Sequence, residues 1–289
     1  MQRVIRIGLL ASALGVLAGC TTLEADRPPA WDSVDPAGLA TAPTTYQDLL
    51  ALPEPAGIIP AAVYGFRDLT GQYRQSPNSN LSTAVTQGGG SLLAEALLRS
   101  GWFQPVEREG LQDLLTERRV ARQREARLGN LADARVIFEG GITGYDRSLS
   151  TGGFGARYFG LGGSEAYVID QVTVNLRAVN VANGEILAAV TTTKTVYSYE
   201  LEAGLFRFVR NQRLLEIEGG YTFNEPRYLA THDAISAALI HLIVRGIDEN
   251  HWRLANEADL NAPVIDAYRT AFEARHARAD AGGQQTARD

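Results

Sequence analysis

Hydrophobic positions along the chain fall into segments of contrasting period. Leu92, Leu93, Ala96 and Leu97 recur at helical spacing with Gly101 following as a stop, which predicts a core-packing helix. Leu111, Leu114 and Leu115 mark a second helix, whose far end from Glu117 to Arg127 is heavily charged and reads as solvated. Ile235, Leu239, Leu242, Ile243 and Ile247 predict a long amphipathic helix over Asp233 to Ile247, ending before Trp252. Strand signals are interleaved with these. An apolar run from Gly57 to Phe66 is closed by the turn Asp68-Leu69-Thr70-Gly71, and shorter strands fit Phe103 to Val106 and Ala134 to Gly140. Val172, Val174, Leu176 and Ala178 alternate with Gln171, Thr173, Asn175 and Arg177, the period of two of a strand with one buried face. Asn183-Gly184 then predicts a tight hairpin into Ile186 to Val190, because both central residues of such a turn take positive φ. Together these elements predict an α+β domain.

Three stretches have no place in that domain. Gly71 to Gln87, with Ser76-Pro77-Asn78-Ser79-Asn80 at its centre, is polar and follows neither period. Leu149 to Ile169 gathers glycines and aromatics around Gly152-Gly153-Phe154-Gly155-Ala156-Arg157-Tyr158-Phe159-Gly160. It is long enough for two strands of the roughly 9 to 11 residues that a tilted strand needs to cross a bilayer. Tyr199 to Phe223 sets Phe206 and Phe208 around Arg207, and Leu215 and Ile217 against Glu216 and Glu218, an apolar-out, polar-in alternation. On that pattern Phe206, Phe208, Leu215 and Ile217 face lipid, and Glu200, Glu216 and Glu218 face a barrel lumen. A pair of ordinary surface hairpins fits the same alternation. If both cross a membrane, one chain supplies only four strands, whose open edges have no partners in lipid, so closure requires several chains.

The N-terminus changes where all this is expected to reside. Arg3 and Arg6 precede an apolar stretch from Ile7 to Val16 and then Leu17-Ala18-Gly19-Cys20, a secretory leader too short to span a bilayer. Its end resembles a bacterial lipobox, which implies that Cys20, the one cysteine of 289 residues, carries a diacylglycerol and an N-acyl chain, enough for stable anchoring. Thr21 and Thr22 follow without the aspartate that retains familiar enteric lipoproteins at the inner membrane, which favours outer-membrane sorting. Thr21 to Thr45, rich in Pro, Ala and Asp, reads as an extended arm. Residues after about Arg275, including Gly282-Gly283-Gln284-Gln285, read as a disordered tail. A formal net charge of −6 argues against nucleic-acid partners, since such binding needs clustered cations.

The residues resemble the CsgG family of curli secretion channels from about Tyr46 to Asn256. The resemblance is carried by Gly71-Gln72, Ser79-Asn80 with Ser82-Thr83-Ala84-Val85, Trp102-Phe103, Glu107-Arg108 and Gly155-Ala156-Arg157-Tyr158-Phe159-Gly160. It continues through Asp170-Gln171, Val174-Asn175-Leu176-Arg177, Asn183-Gly184-Glu185-Ile186-Leu187, Phe206-Arg207-Phe208 and Asn224-Glu225-Pro226. It implies a nonameric homo-oligomer of lipidated protomers, a periplasmic vestibule, and two transmembrane hairpins per protomer that co-assemble into one barrel of about 36 strands. It implies secreted amyloid subunits as cargo, with a periplasmic cap and extracellular accessory factors as partners, and no cofactor. A narrow constriction is implied for the loop Gly71 to Val85, where the family's tyrosine, asparagine and phenylalanine match Ser76, Asn80 and Leu81. Only the asparagine is kept, which predicts a wider, less aromatic passage unless Tyr73 turns inward to replace part of the lost ring.

The expected organisation is therefore a signal peptide at 1–19, a lipidated arm at 20–45, and a periplasmic α+β domain from 46–148, 170–198 and 224–262. Hairpins occupy 149–169 and 199–223, and a C-terminal extension 263–289. Transport of this kind needs no nucleotide, and the chain has neither a P-loop nor a strand-to-helix G-x-G-x-x-G. His232, His241 and His251 raise the question of an enzyme, but their spacing fits no zinc motif and no metal is expected. The alternative to a channel is an outer-membrane anchor for a surface adhesin or holdfast polysaccharide that translocates no protein.

Overall fold

The computed structural model describes residues 44–74, 82–151, 166–201, 205–209 and 226–286. In chain order these form α1 (Thr44–Leu50), β1 (Ile59–Asp68), α2 (Gly89–Arg99), β2 (Phe103–Val106), α3 (Leu111–Gln123), β3 (Val136–Thr151), β4 (Ala166–Asn180), β5 (Ile186–Leu201), β6 (Leu205–Val209), α4 (Pro226–Asp248), a 3₁₀ turn (Glu257–Asn261) and α5 (Pro263–Thr286). The fold is α+β. One sheet runs in the order β2-β1-β3-β4-β5-β6, with β1 parallel to β2 and β3 and the rest an antiparallel meander. The parallel pairs require crossovers, supplied by α2 between β1 and β2 and by α3 between β2 and β3.

The even-numbered positions of β4 are buried as the alternation predicts: Val172, Val174, Leu176 and Ala178 meet α4, which lies across β4 and β5. Phe66, Phe138, Ile142, Leu93, Leu97, Trp102 and Phe103 complete the same core, where Phe103 meets Phe138 edge-on at 4.9 Å and Trp252 at 5.7 Å. The opposite face carries polar pairs: Thr173 Oγ1 with Thr193 Oγ1 at 3.1 Å, Asn175 Nδ2 donating to Thr191 Oγ1 at 3.0 Å, and Arg177 with Glu139 at 2.7 Å.

Several expectations change. The strand expected to end at Gly140 continues to Thr151, because glycine is what the sheet requires there. A Cβ at Gly140 would lie 2.1 Å from the Asn175 carbonyl, and one at Gly141 2.4 Å from that of Arg67. The Asn183-Gly184 hairpin forms, but only Gly184 takes positive φ (75°). The turn is longer than two residues: Asn180 Oδ1 accepts from Ala182 N, Asn183 Oδ1 accepts from Glu185 N, and the register slips one residue at Ala178/Val179. α3 buries no residue, so its apolar triplet is as superficial as its charged end. α4 begins at Pro226, whose missing N–H costs nothing in a first turn, and it is buried well beyond one stripe, Ile240 and Val244 included. The tail expected to be disordered is helical through Thr286, propagating from the anchored first turns of α5 along Ala- and Arg-rich sequence. No described helix is long and apolar enough to cross a membrane.

Candidate passage loop and hairpin strands

The edge of the helix layer is the place where the unexplained segments meet the fold. β3, β4 and β5 are 16, 15 and 16 residues long, and among the described side chains the last buried ones toward these strand ends are Tyr145, Asp170 and Val196. The strands continue past these residues without a break, β3 and β4 staying in register to Thr151↔Ala166. The hairpins expected from Leu149 and Tyr199 are thus prolongations of core strands rather than separate insertions. In the second, β6 returns antiparallel along β5.

The polar loop is anchored at this same level. Asp68 Oδ1 accepts from Thr70 N at 2.8 Å and Thr70 Oγ1 at 2.7 Å, turning the chain into Gly71, which takes φ 63°. A two-rung ladder then closes the loop's root: Ala84 N donates to Gln72 O at 2.8 Å and Arg74 N to Ser82 O at 2.7 Å, with Tyr73 opposite Thr83. Gln72 Nε2 donates to the Tyr145 carbonyl at 2.8 Å, fixing one arm to β3. Ala84 and Val85 are buried, and Gln87 Nε2 reaches back to Asp68 Oδ2 at 3.0 Å.

Beneath the ladder lies a polar cluster that sequence patterning did not single out. Asp170, 3% exposed, accepts a 2.5 Å hydrogen bond from the Tyr145 hydroxyl, and Arg227 Nε lies 3.9 Å from the same oxygen. The Arg227 guanidinium sits 5.8 Å above the Tyr145 ring, and its Nη1 donates to the Ala84 carbonyl at 3.3 Å. Burial and the bond to Asp170 push the Tyr145 phenol far above its ordinary value, so it is a fixed donor. The available signal was Asp170 standing in phase with Val172 to Ala178, a carboxylate on an apolar face.

Among the candidate residues, Tyr73 is exposed and belongs to the loop's root. Ser76, Asn80 and Leu81 lie outside the described residues, as do Cys20, Leu215, Glu216, Ile217 and Glu218. Positions 200, 206 and 208 require a correction. Glu200 pairs with Phe206 and Ser198 with Phe208, and register partners share a face of the pleat. A lumen assignment for Glu200 and a lipid assignment for Phe206 and Phe208 cannot both hold, because the sheet alternates faces along a strand and not between partners. Positions 198 and 200 continue the face that α4 covers at Val190, Thr192 and Val196, whereas 199 and 207 continue that of Thr191 and Thr193. The histidines do not converge: His232 is buried between Tyr46 and Tyr228, His241 meets the Tyr268 ring at 4.8 Å, and His251 lies 3.2 Å from Glu249. Among the described residues no three His, Cys, Asp or Glu side chains could hold a metal ion.

These features define an α+β protein whose meander runs out beyond its own helix layer, beside a loop pinned at its root. The family profile of the curli production assembly/transport component CsgG matches residues 42–272. The chain is 44% identical over 282 residues to the curli production assembly/transport component CsgG of Escherichia coli strain K12, covering 93% of this chain and 97% of that protein. It is 43% identical over 279 residues to the protein of that name from Citrobacter koseri, with the same coverage. Among solved structures, a PelC dodecamer mutant from Paraburkholderia phytofirmans aligns at 18% identity and a TM-score of 0.22 over 48% of this chain and 73% of that one, too distant to carry an argument. The chain belongs to the CsgG family of curli production assembly/transport components.

Proposed function

We propose that this protein is an outer-membrane lipoprotein, anchored through acylated Cys20, whose protomers close into a ring-shaped β-barrel that exports unfolded curli-type amyloid subunits. Family membership supplies the cargo class. The observation that carries the channel reading is the prolongation of β3, β4 and β5, in a sheet where β3 past Ile142 has no described strand on its outer side and β6 is the last described strand on the other. Such edges are untenable in lipid, and neighbouring copies remove them by pairing strand to strand. Two hairpins from each of nine copies give the barrel of about 36 strands that the resemblance implies.

The loop rooted at Gln72 and Ala84 stands where the meander leaves the helix layer, the level at which a constriction separates a periplasmic vestibule from a barrel. Asn80 and Leu81 line it in this reading, with Ser76 in place of an aromatic, and Tyr73 at its root. Around the barrel wall, positions 200, 206 and 208 form one face and 199 and 207 the other. Transport needs no nucleotide: a confined unfolded chain diffuses through, and folding into fibrils outside removes it. A periplasmic cap and extracellular accessory factors serve capture and release.

The test is single-channel conductance of the detergent-purified, acylated protein in planar bilayers, beside a variant shortened across residues 152–165. Large discrete steps that vanish in the variant are expected. Silence from rings that still insert stably would sink the channel and leave a lipid-tethered anchor.

A further inference from the structure

We propose that α3 and the segment returning along it form a cationic docking arm at the end of the sheet remote from the hairpins, and that its partner is an acidic polypeptide. The inference rests on the channel reading above for what the arm stands beside, and on described residues alone for what it binds.

The chain leaves the sheet after Val106, opposite Ala62, and re-enters it at Val136, opposite Ala61. The excursion between them has no length of sheet to cover, and α3 stands clear of the domain: it buries no residue and packs extensively on no other described element. Glu125, at φ 59°, turns the chain back. Arg118 Nη2 then donates to the Gly129 carbonyl, and Arg108 Nη2 to that of Ala132 at 2.7 Å. The arm's root at Val136 pairs with Asn180, whereas the far end of β3 pairs Thr151 with Ala166. At about 3.3 Å per residue, roughly 50 Å of strand separates the two ends. In a channel the arm's end is the periplasmic mouth, beyond reach of the bilayer.

The arm's charge has no counterpart within it. Residues 118–127 hold five arginines and one carboxylate, Glu125, in a chain of formal net charge −6. Arg118 is held by Gly129, but no hydrogen bond or ion pair joins the guanidinium of Arg119, Arg122, Arg124 or Arg127 to another described residue. Arg118 and Arg119 both lie one turn from Arg122, and such like-charge neighbours weaken a helix already near the shortest that persists alone. The helix dipole accounts for Arg122 in the last turn and Arg124 at the C-cap, not for Arg119 or Arg127. Leu115 and Val120, each 39% exposed, stand five residues apart on different sides of the helix, so the arm lacks the apolar centre of a permanent contact between copies. Unpaired guanidinium groups on a projecting helix suit instead a carboxylate-bearing chain, which a ring would meet at its entrance with one arm per protomer.

The experiment is fluorescence anisotropy of a labelled poly-glutamate peptide, beside a neutral glycine–serine peptide of equal length, with full-length acylated protein in detergent. The unmodified protein should prefer poly-glutamate. Arg119→Gln, Arg122→Gln and Arg124→Gln together should weaken that binding about tenfold. Arg67→Gln, Arg99→Gln and Arg253→Gln, which remove the same charge from exposed arginines elsewhere, should leave it unchanged. Equal loss in both triple variants, or no preference for poly-glutamate, would overturn the proposal. Tighter capture of anionic phospholipid vesicles than of peptide through the same arginines would also overturn it, as would an arm variant that folds but purifies as monomers. Should the arm variant misfold, Val120→Cys carrying a photocrosslinker decides, since it leaves every arginine in place: poly-glutamate should crosslink there and not at Arg67→Cys, and no crosslink at position 120 would overturn the proposal. Rings that conduct but bind no peptide would remove the arm's partner and leave the channel standing. Peptide binding by rings that carry no current would keep the docking arm and remove the channel.

Discussion

Replacing His232 with leucine separates the protein's acid sensitivity from its packing. The imidazole is buried between Tyr46 at 6.1 Å and Tyr228 at 6.3 Å, and its Nδ1 has no hydrogen-bond partner among the described residues. The charged groups around it are Glu95 on α2 and Asp233 on α4, the latter paired with Lys194 on β5 and accepting from Thr45 N at 3.0 Å. Burial lowers the imidazole below its ordinary value of 6.5, and the two carboxylates only partly oppose this. The folded protein therefore refuses a proton that the unfolded chain accepts. Stability from this site is complete above about pH 6.5 and is lost as the pH falls toward the lowered folded value, with a slope of at most about 1.4 kcal/mol per pH unit.

Leucine abolishes that slope and removes a buried polar atom whose unmet bond costs about 1–3 kcal/mol. His232→Leu should thus equal or exceed the parent in stability by about 1 kcal/mol at neutral pH, and its advantage should widen on acidification. Denaturant unfolding followed by tryptophan fluorescence reports it, since Trp102 and Trp252 are both buried. Other titrating groups are common to both proteins and cancel in the difference. Parallel pH profiles, or a variant weaker by more than about 2 kcal/mol at neutral pH, would refute the reasoning, the latter by showing that Nδ1 is satisfied.

Three further substitutions probe the sheet. Gly140→Val should cost about 3 kcal/mol or more, read as lost soluble yield of the α+β fold, because its Cβ would strike the Asn175 carbonyl at 2.1 Å. Thr192→Val removes the 2.8 Å bond from Oγ1 to the Ala234 carbonyl that ties β5 to α4, and thermal melting should show a loss of about 1 kcal/mol. Arg177→Met should change stability by less than about 0.5 kcal/mol in the same assay, since its 2.7 Å pair with Glu139 is solvated.

The period of two through Val172 to Ala178, the helical spacing of Leu92 to Leu97 and the shared words of the family were sufficient by themselves for the α+β class, the buried face of β4 and the family. These depend on nearest-neighbour geometry and on side-chain chemistry repeated along one element, which a linear string preserves. Strand length did not, because Gly140 and Gly141 punctuate a sequence yet serve the sheet through neighbours 35 and 74 residues distant, Asn175 and Arg67. The faces of positions 200, 206 and 208 required the cross-strand register, since alternation along each strand leaves the phase between strands open. The cluster of Asp170, Tyr145 and Arg227 joins residues from three elements, and only folding brings a phenol, a carboxylate and a guanidinium within reach of both arms of one loop. Local pattern specified the parts, and tertiary contact alone decided where the strands leave the core and what holds the loop beside them.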